Sequence, residues 1–192
     1  RLLVVSGSDD RESEIRCHLV EVRLSEVREA ENGYTALSYA WGTGDRNCEI
    51  WIGAHKCLIN PNLESALRHL RCQDRPIRLW IDALCINQTD LLERNQQVQQ
   101  MRSIYAAASE TVIYLGAQDG GNTGRSAWNF LERNSSWAWN DHQDRDYTLR
   151  DVEIDVLSRP WFRRLWVFQE AVVSRCLSIQ CGPRRIAWDD FC

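Results

Sequence analysis

Short apolar runs, separated by polar or glycine-containing segments, recur along the first part of the chain. Apolar runs of about four to eight residues bounded by turn signals are typical of β-strands. The pattern predicts strands at residues 2–5, 17–24 and 34–41, and a hairpin formed by residues 49–52 and 56–59. A helix then begins at Pro61 with Asn60 as its N-cap, and its apolar face consists of Leu63, Ala66, Leu67 and Leu70.

The middle of the chain carries the pattern of a βαβ unit. Residues 77–86 are almost continuously apolar, which is typical of a strand covered on both faces in a parallel sheet. Asp90 and Glu93 resemble a capping box at the start of a helix that runs through residue 108. A further buried strand is predicted at residues 111–115. Strand, helix and strand in this order imply that the two strands are parallel.

The last part of the chain predicts further helices and two weaker strands. The helices are predicted at residues 125–133, at residues 150–157 and from Pro160 to about residue 174; a surface loop is predicted at residues 134–146, and strands at residues 178–181 and 186–188. Strands that alternate with helices are typical of α/β proteins. We therefore predict an α/β fold with a mostly parallel sheet flanked by helices, and with extra N-terminal β-strands.

Composition and charge narrow the class of protein. The chain has 192 residues, of which 44% are hydrophobic and 26% are charged, as is usual for a globular domain. No apolar run approaches roughly 18 residues, so we expect no membrane span. The net charge of −4 provides no general attraction for nucleic acid. The chain starts without Met and stops in a strand-like segment, so we interpret residues 1–192 as a single domain that continues beyond its C-terminus.

The eight cysteines raise the question of disulfides or a metal site. A disulfide framework is typical of shorter secreted chains, and the polar start of this sequence lacks the apolar region of a signal peptide, so we expect no disulfides. Cys48, His55 and Cys57 lie close together, but they lack a second ligand pair at a zinc spacing. We therefore expect buried, unreactive thiols, no metal, and a location in the reducing cytoplasm.

Three blocks of sequence carry a resemblance to a known family. They are residues 34–42 (YTALSYAWG), residues 79–116 and residues 159–170 (RPWFRRLWVFQE). In order and spacing these blocks resemble the fungal heterokaryon incompatibility (HET) domain, over roughly residues 34–175. The resemblance implies a self/non-self recognition effector that triggers cell death when incompatible fungal cells fuse. It further implies a remote kinship with Toll/interleukin-receptor (TIR) domains, hence a TIR-like or flavodoxin-like sheet, and several TIR branches cleave NAD⁺.

The third block contains the candidate catalytic residue. Trp166 and Glu170 form a WxxxE arrangement that is similar to the segment carrying the catalytic glutamate in NAD⁺-cleaving TIR domains. On a helix, residues four positions apart lie on one face, so the two side chains could line one wall of a cleft. The alternative is that Glu170 is a helix-face carboxylate paired with Arg163 or Arg164, and that Trp161 and Trp166 are core residues.

The first two blocks supply candidate substrate-binding residues. The pair Ser38-Tyr39, followed by Trp41 and Gly42, resembles the opening strand and loop of TIR domains. Ligands of open α/β sheets bind at the carboxyl ends of the strands. Residues near the carboxyl end of the next predicted strand are therefore further candidates, namely Asp82 and Cys85 within it and Gln88 just after it.

Several of these residues have a second interpretation. Asp82 within an apolar run is either functional or a structural carboxylate that accepts hydrogen bonds from backbone N–H groups or an arginine. Cys85 could be a nucleophile, although no histidine is paired with it in the sequence. Glu93, interpreted first as part of a helix start, is the second candidate for a catalytic carboxylate.

Two functions from different classes follow. The first is an NAD⁺ glycohydrolase that takes NAD⁺ as substrate, needs no cofactor and self-associates to complete its site. Glu170 would stabilise the ribosyl cation, and Trp166 and Trp41 would contact the flat rings. The second is a non-catalytic signalling module that acts by homotypic assembly or by recruiting partners. The first hypothesis requires Glu170, Trp166, Trp41 and Asp82 to converge on one cleft.

Overall fold

The computed structural model describes residues 1–27, 33–42, 44–117, 128, 153–164 and 167–192. Within these residues the strands are β1 (Leu2–Val5), β2 (Arg16–Val20), β3 (Thr35–Tyr39), β4 (Cys48–Ile52), β5 (His55–Ile59), β6 (Ile77–Trp80), β7 (Glu110–Tyr114), β8 (Leu177–Cys181) and β9 (Arg184–Ala187). The α-helices are α1 (Pro61–Leu70), α2 (Asp82–Cys85), α3 (Leu91–Ala107), α4 (Val167–Val172) and α5 (Trp188–Phe191). A π-helical turn (Glu153–Leu157) and a 3-10 turn (Pro160–Arg163) precede α4.

The described strands form one mixed sheet in the order β5-β4-β2-β1-β6-β3-β7-β8-β9. Its central block, β6-β3-β7-β8, is parallel, with Ser38 of β3 opposite Ile113 of β7. β2 is also parallel to β4, whereas β1 runs antiparallel to both of its neighbours, and the hairpins β4-β5 and β8-β9 are antiparallel. The predicted α/β class is confirmed, and the parallel pairing is concentrated at the centre of the sheet.

The central strands are apolar on both faces, as strands covered on both sides must be. Along β7, Val112 and Tyr114 belong to a large core cluster, whereas Ile113 and Leu115 belong to a second cluster. Successive side chains of a strand point to opposite faces, so the two clusters lie on opposite sides of the sheet. The second cluster contains Trp161.

The strand predicted at residues 77–86 was too long. It ends at Trp80, and the chain turns into α2, in which Cys85 N–H donates to the Ile81 carbonyl at 2.7 Å. Asp82 opens this helix, and its carboxylate accepts the backbone N–H of Ala83 at 2.7 Å. An acidic side chain at a helix start is favoured by the helix dipole, which explains why the apolar run does not continue as a strand.

The predicted βαβ unit is confirmed with one refinement. β6 and β7 are both parallel to β3, which lies between them. Asp90 caps α3, because its carboxylate accepts the backbone N–H groups of Leu92 and Glu93 at 2.9 and 3.1 Å. Glu93 does not close a capping box, since it accepts the N–H of Asn87 instead.

The single helix predicted from Pro160 to residue 174 is wrong. Arg164 is extended, with φ −87° and ψ 136°, and it separates the 3-10 turn from α4. Trp161 and Glu170 both hydrogen-bond to the hydroxyl of Ser38. In a continuous helix these two residues would be separated by about 13 Å along the axis. The break at Arg164 therefore allows both side chains to reach one atom.

The other elements predicted for the second half of the chain differ in how they compare with the structure. The helix predicted at residues 150–157 is described only from residue 153, as the π-helical turn. The segment after β9, expected to be strand-like to the chain end, forms the helical turn α5. Of the predicted helix at residues 125–133 only Trp128 is described, and it is helical; the loop at residues 134–146 lies outside the described residues. In the part that the structure describes, no helix has the length and apolar character needed to cross a membrane.

Candidate functional site

The carboxylate of Glu170 is buried and held by groups from three segments. Glu170 lies on α4 and is only 1% exposed. Ser38, at the carboxyl end of β3, donates its hydroxyl to Oε2 of Glu170. The indole Nε1–H of Trp161 donates to the same Ser38 oxygen at 2.7 Å. The Ser38 hydroxyl therefore links the second core cluster, through Trp161, to the Glu170 carboxylate.

Arg164 supplies the opposite charge. Its Nη2 lies 3.2 Å from Oε1 of Glu170, and its Nη1 lies 3.4 Å from Oε2. The Arg164 side chain is 22% exposed. A buried carboxylate without partners would cost several kcal/mol, roughly, in free energy of folding. Here both oxygens of Glu170 have a donor, which explains how the charge is tolerated in the interior.

Asp82 is a second carboxylate; it is partly buried and lies just beyond the carboxyl end of β6. Trp41 donates its indole N–H to both oxygens of Asp82, at 3.0 and 3.2 Å. Burial raises the pKa of Asp82 from 3.8 to about 6, and the negative charge of Glu170 acts in the same direction. The hydrogen bonds from Ala83 and Trp41 and the charge of Arg164 oppose this increase in pKa.

Glu170 and Asp82 line one cavity of about 440 Å³. A volume of this size is within the range of small-molecule sites. Among the residues that the structure describes, its lining consists of Trp41, Asp82, Ile86, Gln88, Arg94, Val98, Met101, Arg164 and Glu170. Trp41 and Asp82 follow β3 and β6, two adjacent parallel strands, so the cavity lies where ligands of open α/β sheets bind. The cavity thus combines two carboxylates, two guanidinium groups, an indole and an aliphatic wall.

The loop that carries Trp41 is fixed by the start of α1. Asn62 donates its side-chain N–H to the carbonyl of Ala40 at 2.7 Å, and Asn60 donates to the carbonyl of Trp41. Asn60 is the N-cap residue of α1, as predicted, but its side chain makes no capping hydrogen bond to this helix. Gly42 follows with φ +76°, a conformation that side chains disfavour. These contacts leave the Trp41 indole 38% exposed at the cavity.

The structure brings together part of the predicted site. Trp41, Asp82, Gln88 and Glu170 line the cavity, and Gln88 donates its side-chain N–H to the carbonyl of Asp82 at 2.9 Å. Ser38 does not line it but holds Glu170 from behind. Of the four residues expected to converge, Trp41, Asp82 and Glu170 therefore do so, whereas Trp166 lies outside the described residues.

Other predicted residues are not brought to the cavity. Tyr39 is buried in the large core cluster, where desolvation raises the pKa of its phenol far above the usual range. Cys85 is in the same cluster, and burial raises the pKa of its thiol to about 11, which opposes a role as nucleophile. Gly42 is exposed, and a methyl group added to its Cα would meet no other atom within 4 Å. Glu93 forms an ion pair with Arg1 on a different surface.

Sequence reasoning missed one whole wall of the cavity. Arg94, Val98 and Met101 lie on α3 at positions i, i+4 and i+7, which is the spacing of one helix face. None of these three residues is among the site residues predicted from the sequence. Arg164 was considered as a partner of Glu170, but on a solvated surface rather than inside a cavity. The regular spacing along α3 was the available signal.

The described residues contain no group of three histidine, cysteine or acidic side chains placed to hold a metal ion. The eight cysteines all lie within the described ranges, and they form no disulfide.

Comparisons with known proteins give a family match and a curated relative. Residues 34–170 match the family model described as heterokaryon incompatibility protein (HET). Heterokaryon incompatibility protein 6, OR allele, of Neurospora crassa is 30% identical over 199 residues, which cover 80% of this chain and 29% of that protein. The chain therefore spans less than a third of the length of this curated relative. No solved structure matches.

Proposed function

This chain belongs to the heterokaryon incompatibility (HET) family, and on that premise we propose that it is an effector domain of fungal self/non-self recognition that cleaves NAD⁺. The incompatibility role is supported by the family and by the Neurospora crassa relative named for it. The bond broken would be the one between nicotinamide and ribose. The resemblance of the third block to NAD⁺-cleaving TIR domains suggests this chemistry, and the cavity provides groups that suit it.

The observation that carries the proposal is the placement of Glu170. Its carboxylate is 1% exposed, yet it lines a cavity of about 440 Å³. Ser38 and Arg164 both hydrogen-bond to it and restrict its orientation. A preorganised charge in a site with little water stabilises a developing opposite charge far more than an exposed one does. This arrangement supports a role for Glu170 in stabilising a cation in the cavity.

Cleavage of NAD⁺ requires a negative charge close to the ribose. When the C1′–N1 bond of NAD⁺ breaks, the bonding electron pair moves to the pyridinium nitrogen, so nicotinamide leaves as a neutral molecule and needs no proton. The ribosyl carbon becomes oxocarbenium-like, as in glycoside hydrolysis. Water then adds to C1′ and releases a proton. The products are nicotinamide, ADP-ribose and H⁺.

Two further side chains fit this chemistry. Asp82, with a pKa of about 6, is mostly ionised at neutral pH, so it can accept the proton that the attacking water releases. The exposed face of the Trp41 indole can stack on a flat ring of the substrate. The hydrogen bond from Trp41 to Asp82 would keep these two groups in a fixed relation.

The rival function is a non-catalytic signalling module. The ion pair between Arg164 and Glu170 favours it, because both oxygens of Glu170 are already engaged. In that case Glu170 would be a structural residue that ties α4 to Ser38. Partner recruitment or self-assembly would then carry the signal without turnover.

The deciding experiment measures NAD⁺ loss and nicotinamide release after the domain is clustered by fusion to an oligomerising module. Glu170→Gln is compared with Glu110→Gln. Glu110 is a matched control, because it also pairs with an arginine, Arg185, and accepts a serine hydroxyl, but it is not part of the cavity lining. The proposal expects turnover in the wild type and in Glu110→Gln, and a loss on the order of a hundredfold in Glu170→Gln. Equal turnover in all three would show that Glu170 is not the catalytic residue, whereas no turnover in any clustered protein would favour the signalling module.

A further inference from the structure

Arg164 takes part both in an ion pair and in the lining of the cavity. It is the counterion of Glu170, and its side chain also lines the cavity at 22% exposure. A guanidinium in this position can be reached by a ligand without any movement of the backbone. Its five N–H donors suit the paired oxygens of a carboxylate or of a phosphate equally well. A phosphate entering the cavity would therefore compete with Glu170 for the same donors.

A second guanidinium lines the same cavity. Arg94 projects from α3, is exposed, and has no carboxylate partner among the residues that the structure describes. Arginine forks that lack a protein partner and line a cavity are typical of phosphate recognition. The two acids of the cavity are Asp82 and Glu170. The carboxylate of Asp82 is already engaged by the indole N–H of Trp41 and by the backbone N–H of Ala83.

We propose that Arg94 and Arg164 together bind the phosphate groups of the ligand, and that the bound phosphate displaces Glu170 from Arg164. The proposal rests on the proposed function, because it takes this cavity as the ligand site. It assigns the ligand to the class of phosphate-bearing nucleotides rather than free nucleosides.

The displacement has a direct chemical consequence. The charge of Glu170 is compensated by Arg164. Once a phosphate takes up the guanidinium, the carboxylate of Glu170 keeps only the hydrogen bond from Ser38. Its uncompensated charge then favours a cation in the cavity. Binding of the anionic part of the ligand would thus prepare the carboxylate that stabilises the cationic part.

Because phosphate and Glu170 compete for Arg164, Glu170→Gln should increase the affinity for phosphate. The neutral amide no longer holds Arg164 by charge, so a phosphate binds more tightly to this variant than to the wild type. Loss of a carboxylate from the lining favours an anion by charge alone, so the control is Asp82→Asn, which removes the other lining acid but no hydrogen-bond partner of Arg164 and should give a smaller gain. The probe is inorganic pyrophosphate, titrated by calorimetry at constant ionic strength, and it requires no turnover.

The matched pair for the phosphate contact is Arg94→Gln and Arg102→Gln. Both are exposed arginines of α3, but Arg102 is not part of the cavity lining. We expect Arg94→Gln to weaken pyrophosphate binding about tenfold, Arg102→Gln to change it less than about twofold, and Glu170→Gln to strengthen it several-fold. Thermal unfolding of each variant checks that it is folded. The comparison of the two α3 variants remains valid even if Glu170→Gln does not fold.

The outcomes separate this inference from the proposed function. If wild-type protein does not bind pyrophosphate, if Arg94→Gln behaves like Arg102→Gln, or if a folded Glu170→Gln protein binds no more tightly than wild type, the inference is wrong. NAD⁺ turnover that survives Arg94→Gln unchanged would also overturn it while leaving the proposed function intact. Conversely, the expected pyrophosphate affinities without NAD⁺ turnover would support the phosphate site and reject the glycohydrolase.

Discussion

The guanidinium of Arg164 lies 3.2 Å from the carboxylate of Glu170, and both groups line the same cavity. Pairs of this kind usually lie either on the surface, where they contribute little, or in the interior, where they are structural. This pair is buried on the Glu170 side and open to a ligand on the Arg164 side. The same contact therefore determines the stability of α4 and the charge that a ligand meets.

Removal of Arg164 is expected to destabilise the fold. In Arg164→Gln the carboxylate of Glu170 stays buried without its counterion, which costs about 3–5 kcal/mol. The neighbouring variant Arg163→Gln, at an exposed position, should lie within about 0.5 kcal/mol of wild type. Urea unfolding measures both.

The double variant Arg164→Gln/Glu170→Gln extends this test. It removes the buried charge together with its partner, so it should recover a large part of the stability lost in Arg164→Gln. If the double variant is as unstable as the sum of the two single variants, the pair is not coupled as the geometry implies.

The hydroxyl of Ser38 is expected to stabilise the fold through two partners. Ser38→Ala leaves Trp161 Nε1 without its acceptor and removes a donor to Glu170. A lost partner of a buried polar group costs about 1–3 kcal/mol. Trp161→Phe keeps an aromatic ring but removes the N–H, so its cost should not add to that of Ser38→Ala. Full additivity of the two in urea unfolding would contradict the shared hydrogen-bond chain.

Asp82 should make the stability depend on pH. Its pKa is 3.8 ordinarily and about 6 in the folded protein, so between these values the folded state binds more protons than the unfolded state. Stability is therefore greatest below about pH 4 as far as Asp82 is concerned, and it falls as the pH rises to about 6. The loss is on the order of 3 kcal/mol, since each pKa unit corresponds to about 1.4 kcal/mol.

The variant Asp82→Asn carries no charge at any pH. It should be more stable than wild type at pH 7.5 by about 1–3 kcal/mol, and the difference should disappear near pH 4. Asp74→Asn, at an exposed position, serves as the control. A pH-independent effect of Asp82→Asn would mean that the carboxylate is not desolvated.

The indole N–H of Trp41 should lower the pKa of Asp82. The hydrogen bond from Trp41 is one of the contacts that favour the ionised carboxylate, so Trp41→Phe should raise the pKa above about 6. Carboxyl carbon chemical shifts followed by NMR during a pH titration report this change. An unchanged titration midpoint would show that the hydrogen bond is not formed in solution.

The strands and the position of the site were largely predictable, because short apolar runs and strand-end loops depend on local sequence. The break between Trp161 and Glu170 was not. It arises because both side chains bond to Ser38, which lies more than a hundred residues earlier in the chain. No local pattern contains that information. The same holds for Asp82, whose place in an apolar run favoured a strand although the residue begins a helix.

The cavity wall formed by α3 shows a second reason why the sequence could not predict the whole site. The apolar periodicity predicted the helix correctly, but much of its surface is exposed, including Leu91, Leu92 and Val98. Periodicity alone identifies a face and does not tell whether that face meets the core or a cavity. For this reason Arg94 could be placed only once its neighbours Asp82 and Glu170 were known in space.

The central claim is that the carboxylate of Glu170 serves chemistry in the cavity and not only the anchoring of α4. Nicotinamide released from NAD⁺ by the clustered domain, followed by proton NMR, tests it most directly. The account predicts that nicotinamide accumulates with wild type and with Glu110→Gln, and that the rate falls by about two orders of magnitude in a folded Glu170→Gln protein. Release at the wild-type rate by Glu170→Gln, or no release by any clustered protein, would contradict it.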